Sequence, residues 1–197
     1  MTIMIRKQIT SVDAFDLCDY IIELHQKNNI SLSLCKLHSI IFFYQIVSKT
    51  THVIPYVDDD FIFKNNFIYL NDVERKYRKE KKSDIAKTKI RLTLASFAYF
   101  GSACKLLTEL SFYFQNYSDR LLRKLVRKMP IYKKVKDMPH KFIVQTFFTS
   151  NNRKKTKDYP IVKMEKKDFI KYYPLNKWED VYNMILLIDD KMPLFKL

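Results

Sequence analysis

Glycine is almost missing from this chain: Gly101 is the single one among 197 residues. Phosphate cradles of the P-loop or dinucleotide type need several glycines where the backbone closely approaches the ligand, so nucleotide-binding enzymes of those kinds are excluded. Cysteine is scarce too. Cys18, Cys35 and Cys104 lie in apolar contexts with no close pair, the pattern of reduced residues filling a core, and no disulfide framework follows from them. No run of about 18 apolar residues occurs, and the start MTIMIRKQIT has too few apolar residues before Arg6 and Lys7 for a signal peptide. The expectation is a soluble, cytoplasmic protein with no membrane partner.

What is abundant is apolar and aromatic matter, 47% and 15% of the chain. At this length it fills one core, so a single domain over residues 1–197 is expected. Positive charge is also abundant and uneven. Residues 1–72 hold six Lys or Arg against eight Asp or Glu, a balance of −2, so the formal +15 leaves +17 on the remaining 125 residues. That asymmetry points to an anionic partner, or to a protein partner with an acidic face.

The stretch from Asp13 to Lys49 reads as two amphipathic helices joined by a polar turn. In the first, Phe15, Cys18, Ile22 and His25 recur at three- and four-residue intervals, with Leu17, Ile21 and Leu24 widening the stripe. Asp16, Asp19, Glu23 and Lys27 are expected to face away. Ser11 or Asp13 caps this helix. Asn28 and Asn29 tolerate a left-handed backbone at its end, and Ser31 or Ser33 caps the next. In the second helix Leu34, Leu37, Ile40, Ile41, Tyr44, Ile46 and Val47 form an apolar surface too wide for one partner, which predicts the most buried segment of the protein.

Residues 50–70, TTHVIPYVDDDFIFKNNFIYL, suit two short extended pieces or irregular packing around Pro55. A charged helix begins near Asn71, with Val73 and Tyr77 as inward anchors. From Asp84 the pattern is helical up to a stop at Gly101. Ser102 then caps a helix over ACKLLTELSFYFQ, and Ser118 caps another over DRLLRKLVRK that ends before Pro130. KFIVQTFFTS and YPIVKM flank the polar NNRKKTKD, which predicts a two-stranded ribbon, and NKWEDVYNMILLID reads as a last helix. The predicted fold class is mainly α with a minor α+β character: a single-domain bundle of about six to eight helices with a small β-hairpin or short sheet.

Few residues offer chemistry. Cys18 and His25 share a helical face, and Cys35 and His38 are three apart, so four zinc ligands converging across the helical pair are conceivable. Buried cysteines and a core histidine explain the same pattern, and C-x-x-H with a C-x6-H partner is not a standard ligand set. His52 and His140 are isolated. The run Asp58, Asp59, Asp60 reads as a solvated loop without the interspersed glycine of a calcium loop. No catalytic residue, cofactor or metal is expected, and the protein is not read as an enzyme.

The basic runs are sharper. Arg75, Lys76, Arg78, Lys79, Lys81 and Lys82 crowd one helix and the loop after it. Arg120, Arg123, Lys124, Arg127 and Lys128 recur at three- and four-residue spacing on another helix. Arg153, Lys154, Lys155 and Lys157 form a third cluster at the proposed ribbon tip. These three clusters are the expected contact surface. No homeodomain, zinc-finger or RNP-like motif accompanies them, so any nucleic-acid contact is expected to be backbone-directed and poorly sequence-specific.

The run AFDLCDYIIELHQKNNISLSLCKLHSIIFFYQ, followed after a gap by DDDFIFKNNFIYLNDVERKYRK, resembles the Panacea domain, a phage-associated antitoxin family that includes the SocA-like proteins. Lys36, Leu37, Ile40, Ile41, Phe42, Phe43 and Gln45 occupy the places of the family's K-L-Q-K-L-L-Y-Y-A-Q-like helix. Asp59, Asp60, Phe61, Phe63, Val73 and Tyr77 fit the frame of its next segment, although Phe67, Ile68 and Asn71 stand where the family has Gly-Pro and a second Pro. FAYFGSACKLLTEL and PIYKKVKD extend the likeness over residues 13–137, leaving 138–197 as the ribbon and final helix. The resemblance implies a helical antitoxin that neutralises a toxin or other effector by direct protein binding, without chemistry of its own. The charge suggests two alternatives: an anti-defence inhibitor, such as an anti-CRISPR protein from a phage or mobile element, or a non-specific nucleic-acid-binding protein.

Overall fold

Asp13 starts the first helix: its extended backbone and its carboxylate, which accepts from the Phe15 amide at 2.7 Å, form the N-cap of α1 (Ala14–Lys27). The structure, a computed structural model, describes residues 11–51, 56–57, 59, 61–64, 67–79, 84–87, 101–128, 142–146 and 161–164. Asn29 takes the left-handed conformation at φ 53° that ends α1, as expected of an asparagine there. Ser33 then accepts from the Lys36 amide at 3.0 Å and caps α2 (Leu34–Thr51). The remaining helices are α3 (Asn71–Lys79), α4 (Gly101–Phe114) and α5 (Asp119–Lys128), with a 3-10 turn at Ile85–Lys87. Ser118 caps α5 through the Leu121 amide at 3.3 Å. The described chain is mainly helical, and no described helix is long and apolar enough to cross a membrane.

Helix α2 is the centre of the molecule. Every residue from Cys35 to Ile46 is buried, because α1, α4, α5 and strands pack around it from several sides. An aromatic cluster fills the space: Phe42 meets Phe43 and Phe61 edge-on, with ring centroids 5.5 and 5.8 Å apart, and Phe43 meets Phe114 of α4 at 5.2 Å. Asp84 ties the α1–α2 linker to the 3-10 turn, its carboxylate accepting from the amides of Leu32 at 3.0 Å and Ala86 at 3.1 Å.

The β structure is larger than the small element expected. Strands β1 (Ser11–Val12) and β2 (Tyr56–Val57) pair in parallel, and β2 is pinned to α2 by the Val57 amide donating to Gln45 Oε1 at 2.7 Å. Strands β3 (Phe61–Lys64), β4 (Phe67–Leu70), β5 (Phe142–Thr146) and β6 (Ile161–Met164) form a mixed sheet in the order β4-β3-β5-β6. β3 is antiparallel to both of its neighbours. All four β4 residues are buried because α2, α3 and α5 cover this edge of the sheet.

Four expectations change. The predicted ribbon strands both exist as β5 and β6, but they run parallel and so do not form a hairpin; NNRKKTKD lies outside the described residues. Pairing with β3 fixes the direction of β5, and alternation of side chains within each strand carries no information about direction. Asp19 and Glu23, expected to face away, are buried at 3% and 9% exposure, because α1 is covered by α2, α4 and the 3-10 turn instead of by one neighbour. Gly101 opens α4, so Ser102 stands inside that helix and not at its cap. Ile85–Lys87 form a 3-10 turn in place of the start of an α-helix, and the rest of that expected helix, like the one over 176–189, lies outside the described residues.

Candidate functional site

Helices α3 and α5 carry two of the three predicted cationic clusters, and their positions follow from local packing. In α3, Val73 and Tyr77 are the buried anchors, at 0% and 3% exposure, with Arg75 and Lys76 between them and Arg78 and Lys79 after them. Arg75 pairs with Asp72 at 3.1 Å on the surface. Lys76 lies over the rings of Phe15 and Tyr77, its Nζ 4.8 and 4.7 Å from their centroids, and donates to the Tyr77 hydroxyl at 3.3 Å. Arg78 pairs with Glu74 one turn back. The α3 cations whose side chains are described are therefore held by the protein itself; Lys79 lies in the last turn of α3.

In α5 the division is different. Leu122, Leu125 and Val126 are buried against the body of the protein, while Arg120, Lys124 and Arg127 are exposed at i, i+4 and i+7, on one outward face. None of these three forms an ion pair among the described residues. Leu121, 43% exposed, borders the same face. Arg123 belongs to neither group: its guanidinium lies over the Phe67 ring at 4.9 Å and donates to the Tyr69 hydroxyl at 3.4 Å, which ties α5 to β4. Lys128 is half-buried and has its own interactions. Lys81, Lys82, Arg153, Lys154, Lys155 and Lys157 lie outside the described residues.

A chain of contacts centred on the buried His38 links these two helices, and the sequence spacing does not show it. His38 of α2 is fully buried. Its Nδ1 accepts the Leu70 amide hydrogen at 3.2 Å, and its Nε2 lies 3.1 Å from Glu74 Oε2. An amide can only donate, so Nδ1 is unprotonated and the hydrogen of the neutral ring sits on Nε2, facing the carboxylate. Burial holds the His38 pKa below its ordinary value, with the Arg78 charge acting in the same direction and Glu74 opposing. Burial pushes the Glu74 pKa up, but His38 and Arg78 together bring it below the ordinary carboxylate value. Tyr69 meets the His38 ring edge-on at 5.1 Å and continues the chain to Arg123. The order is Arg78, Glu74, His38, Tyr69, Arg123, running from α3 through α2 and β4 to α5. The one signal for it in the sequence was the C-x-x-H spacing of Cys35 and His38.

That spacing does not build a metal site in the described part of the chain. Both His38 nitrogens are engaged, and Cys35 Sγ lies 3.9 Å from the Asp119 carbonyl with its pKa pushed up to about 12, chiefly by burial. Burial also lifts the Cys18 thiol well above its ordinary value and lowers the pKa of His25. Among the described residues no group of three or more His, Cys, Asp or Glu side chains is arranged to hold a metal. Asp59 is buried, not part of a solvated loop, and has interactions of its own.

No family model, curated protein or solved structure matches the chain. The likeness to the Panacea domain therefore rests on the residues quoted for it. Three of them now have structural roles in this protein. Lys36 donates to the Gln115 carbonyl at the end of α4 at 2.7 Å, Gln45 pins β2, and Phe43 packs on Phe114.

Proposed function

We propose that this protein is a non-enzymatic, antitoxin-like binder that neutralises a toxin or another effector by direct contact, with the outward face of α5 as part of its contact surface. The observation that carries this is the exposed row of Arg120, Lys124 and Arg127, unpaired among the described residues, which differs from α3, whose described cations are paired or stacked internally. The row extends about 10 Å, from seven residues at ~1.5 Å rise each. It suits carboxylates on an acidic protein face, and the exposed Leu121 beside it offers an apolar contact that a phosphate backbone does not use. The Panacea-like helices support the same function class.

A second function class, backbone-directed nucleic-acid binding, draws on the same three cations, and an anti-defence inhibitor would use them against a nuclease or its acidic surface. Co-expression with the product of the adjacent reading frame separates these. A stoichiometric complex that the R120E/K124E/R127E variant no longer forms, together with rescue of growth from that product, supports the antitoxin reading. A complex unaffected by the triple change removes α5 from the contact surface. Binding of arbitrary duplex DNA in a gel-shift titration, weakening with salt at a log–log slope near −3 for about three phosphate contacts, would favour the nucleic-acid reading instead.

A further inference from the structure

The His38 contacts form a bridge with a defined proton requirement. Leu70 is the last residue of β4 and Asn71 the first of α3, so the Leu70 amide sits at the corner where strand turns into helix. One imidazole holds that corner on both sides: Nδ1 takes the Leu70 amide and Nε2 takes Glu74, one turn into α3. We propose that His38 is an acid-operated latch, whose protonation releases the β4–α3 corner from α2 and so alters the display of the cationic helix α3.

The geometry gives the reason. A proton added to the ring must go to Nδ1, since Nε2 already carries one, and there it would point at the Leu70 N–H at 3.2 Å, setting donor against donor. The groups facing the ring are Glu74 and Arg78 from α3, the Leu70 amide and the Tyr69 ring from β4, and, one step further, Arg123 of α5 through the Tyr69 hydroxyl. Glu74 favours the imidazolium, while Arg78 and full burial oppose it, and the latched ring binds a proton less readily than a released one. A group with a depressed basic pKa contributes stability that is complete above its ordinary value of 6.5 and is lost as pH falls below it. Glu74 acts in the same direction, but below its ordinary value of 4.5, so the window between about pH 6.5 and pH 5 belongs to histidine. The latch concerns α3 and β4 and stands whether or not α5 contacts an acidic protein.

The test uses the full chain and residue-resolved hydrogen exchange, corrected for the intrinsic pH dependence of exchange. Between pH 7.5 and pH 5 the protection of Leu70 and the α3 amides should fall by up to about thirty-fold, the limit for a ring that titrates at 6.5 when released and not at all when latched. The α2 amides should change less. His38→Asn keeps an acceptor for the Leu70 amide without a titrating ring and should flatten this profile, whereas His25→Asn should leave it intact. Nitrogen-15 spectra of the wild-type ring should show the Nε2–H tautomer at pH 7.5, a readout that does not depend on either variant folding. An Nδ1–H tautomer, or α3 protection that does not change with pH, would overturn the latch. Persistence of the pH dependence in a folded His38→Asn variant would do the same.

Discussion

Replacing Arg123 by alanine tests whether the arginines and lysines of α5 belong to two kinds. Arg123 stacks on Phe67 at 4.9 Å and donates to the Tyr69 hydroxyl at 3.4 Å. A stacked cation that is partly desolvated contributes about 0.5–2 kcal/mol, and a long neutral-acceptor hydrogen bond adds about 0.5 kcal/mol. The Arg123→Ala variant should therefore lose about 1–2 kcal/mol of stability. With a urea dependence of about 2 kcal/mol per molar, this lowers the midpoint by about 0.5–1 M. Arg123→Lys should recover little of it, because an ammonium lacks the planar fork that stacks and donates together. Alanine at Arg120, Lys124 or Arg127 should leave stability within about 0.5 kcal/mol of the parent. The assay is equilibrium urea unfolding followed by circular dichroism on all five variants in one buffer. If Arg123→Ala unfolds at the same midpoint as Arg120→Ala, the division of α5 into a structural arginine and an exposed cationic face is wrong.

Two further outcomes follow from the same packing. Cys18 and Cys35 are buried with raised thiol pKa values, so at pH 8 they should resist alkylation by iodoacetamide in the native protein and react fully in urea, as mass spectrometry of the labelled chain would show; rapid native labelling of either would contradict their burial. Asn29 at φ 53° should tolerate glycine, while valine there should cost about 1–2 kcal/mol, measured as a lowered urea midpoint.

Much of the helical part was legible because it depends on local rules. The caps at Asp13, Ser33 and Ser118, the left-handed Asn29, the start of α3 at Asn71 and its anchors Val73 and Tyr77 all follow from interactions within a few residues. The fully buried run of α2 was readable from an apolar surface wider than one partner covers. The candidate site was legible only in part. Charge spacing marked α5, but it could not separate Arg123 from Arg120, because the rings of Phe67 and Tyr69 that claim Arg123 lie more than fifty residues away in the chain. In the sequence His38 stands out only by its spacing from Cys35, whereas its partners are Leu70 and Glu74.

From the amino-acid order alone came the helical character, the location of the deepest helix and the basic skew of the later residues, since periodicity, capping and charge are properties of neighbours along the chain. The direction of β6 relative to β5, the burial of Asp19 and Glu23, and the sorting of the described cations into internally held and outward-facing were decided by the assembled molecule. Each of these depends on which distant surface arrives next to a residue. Side-chain spacing along one segment specifies what that segment can bury or pair, and the neighbour that covers it is chosen by packing.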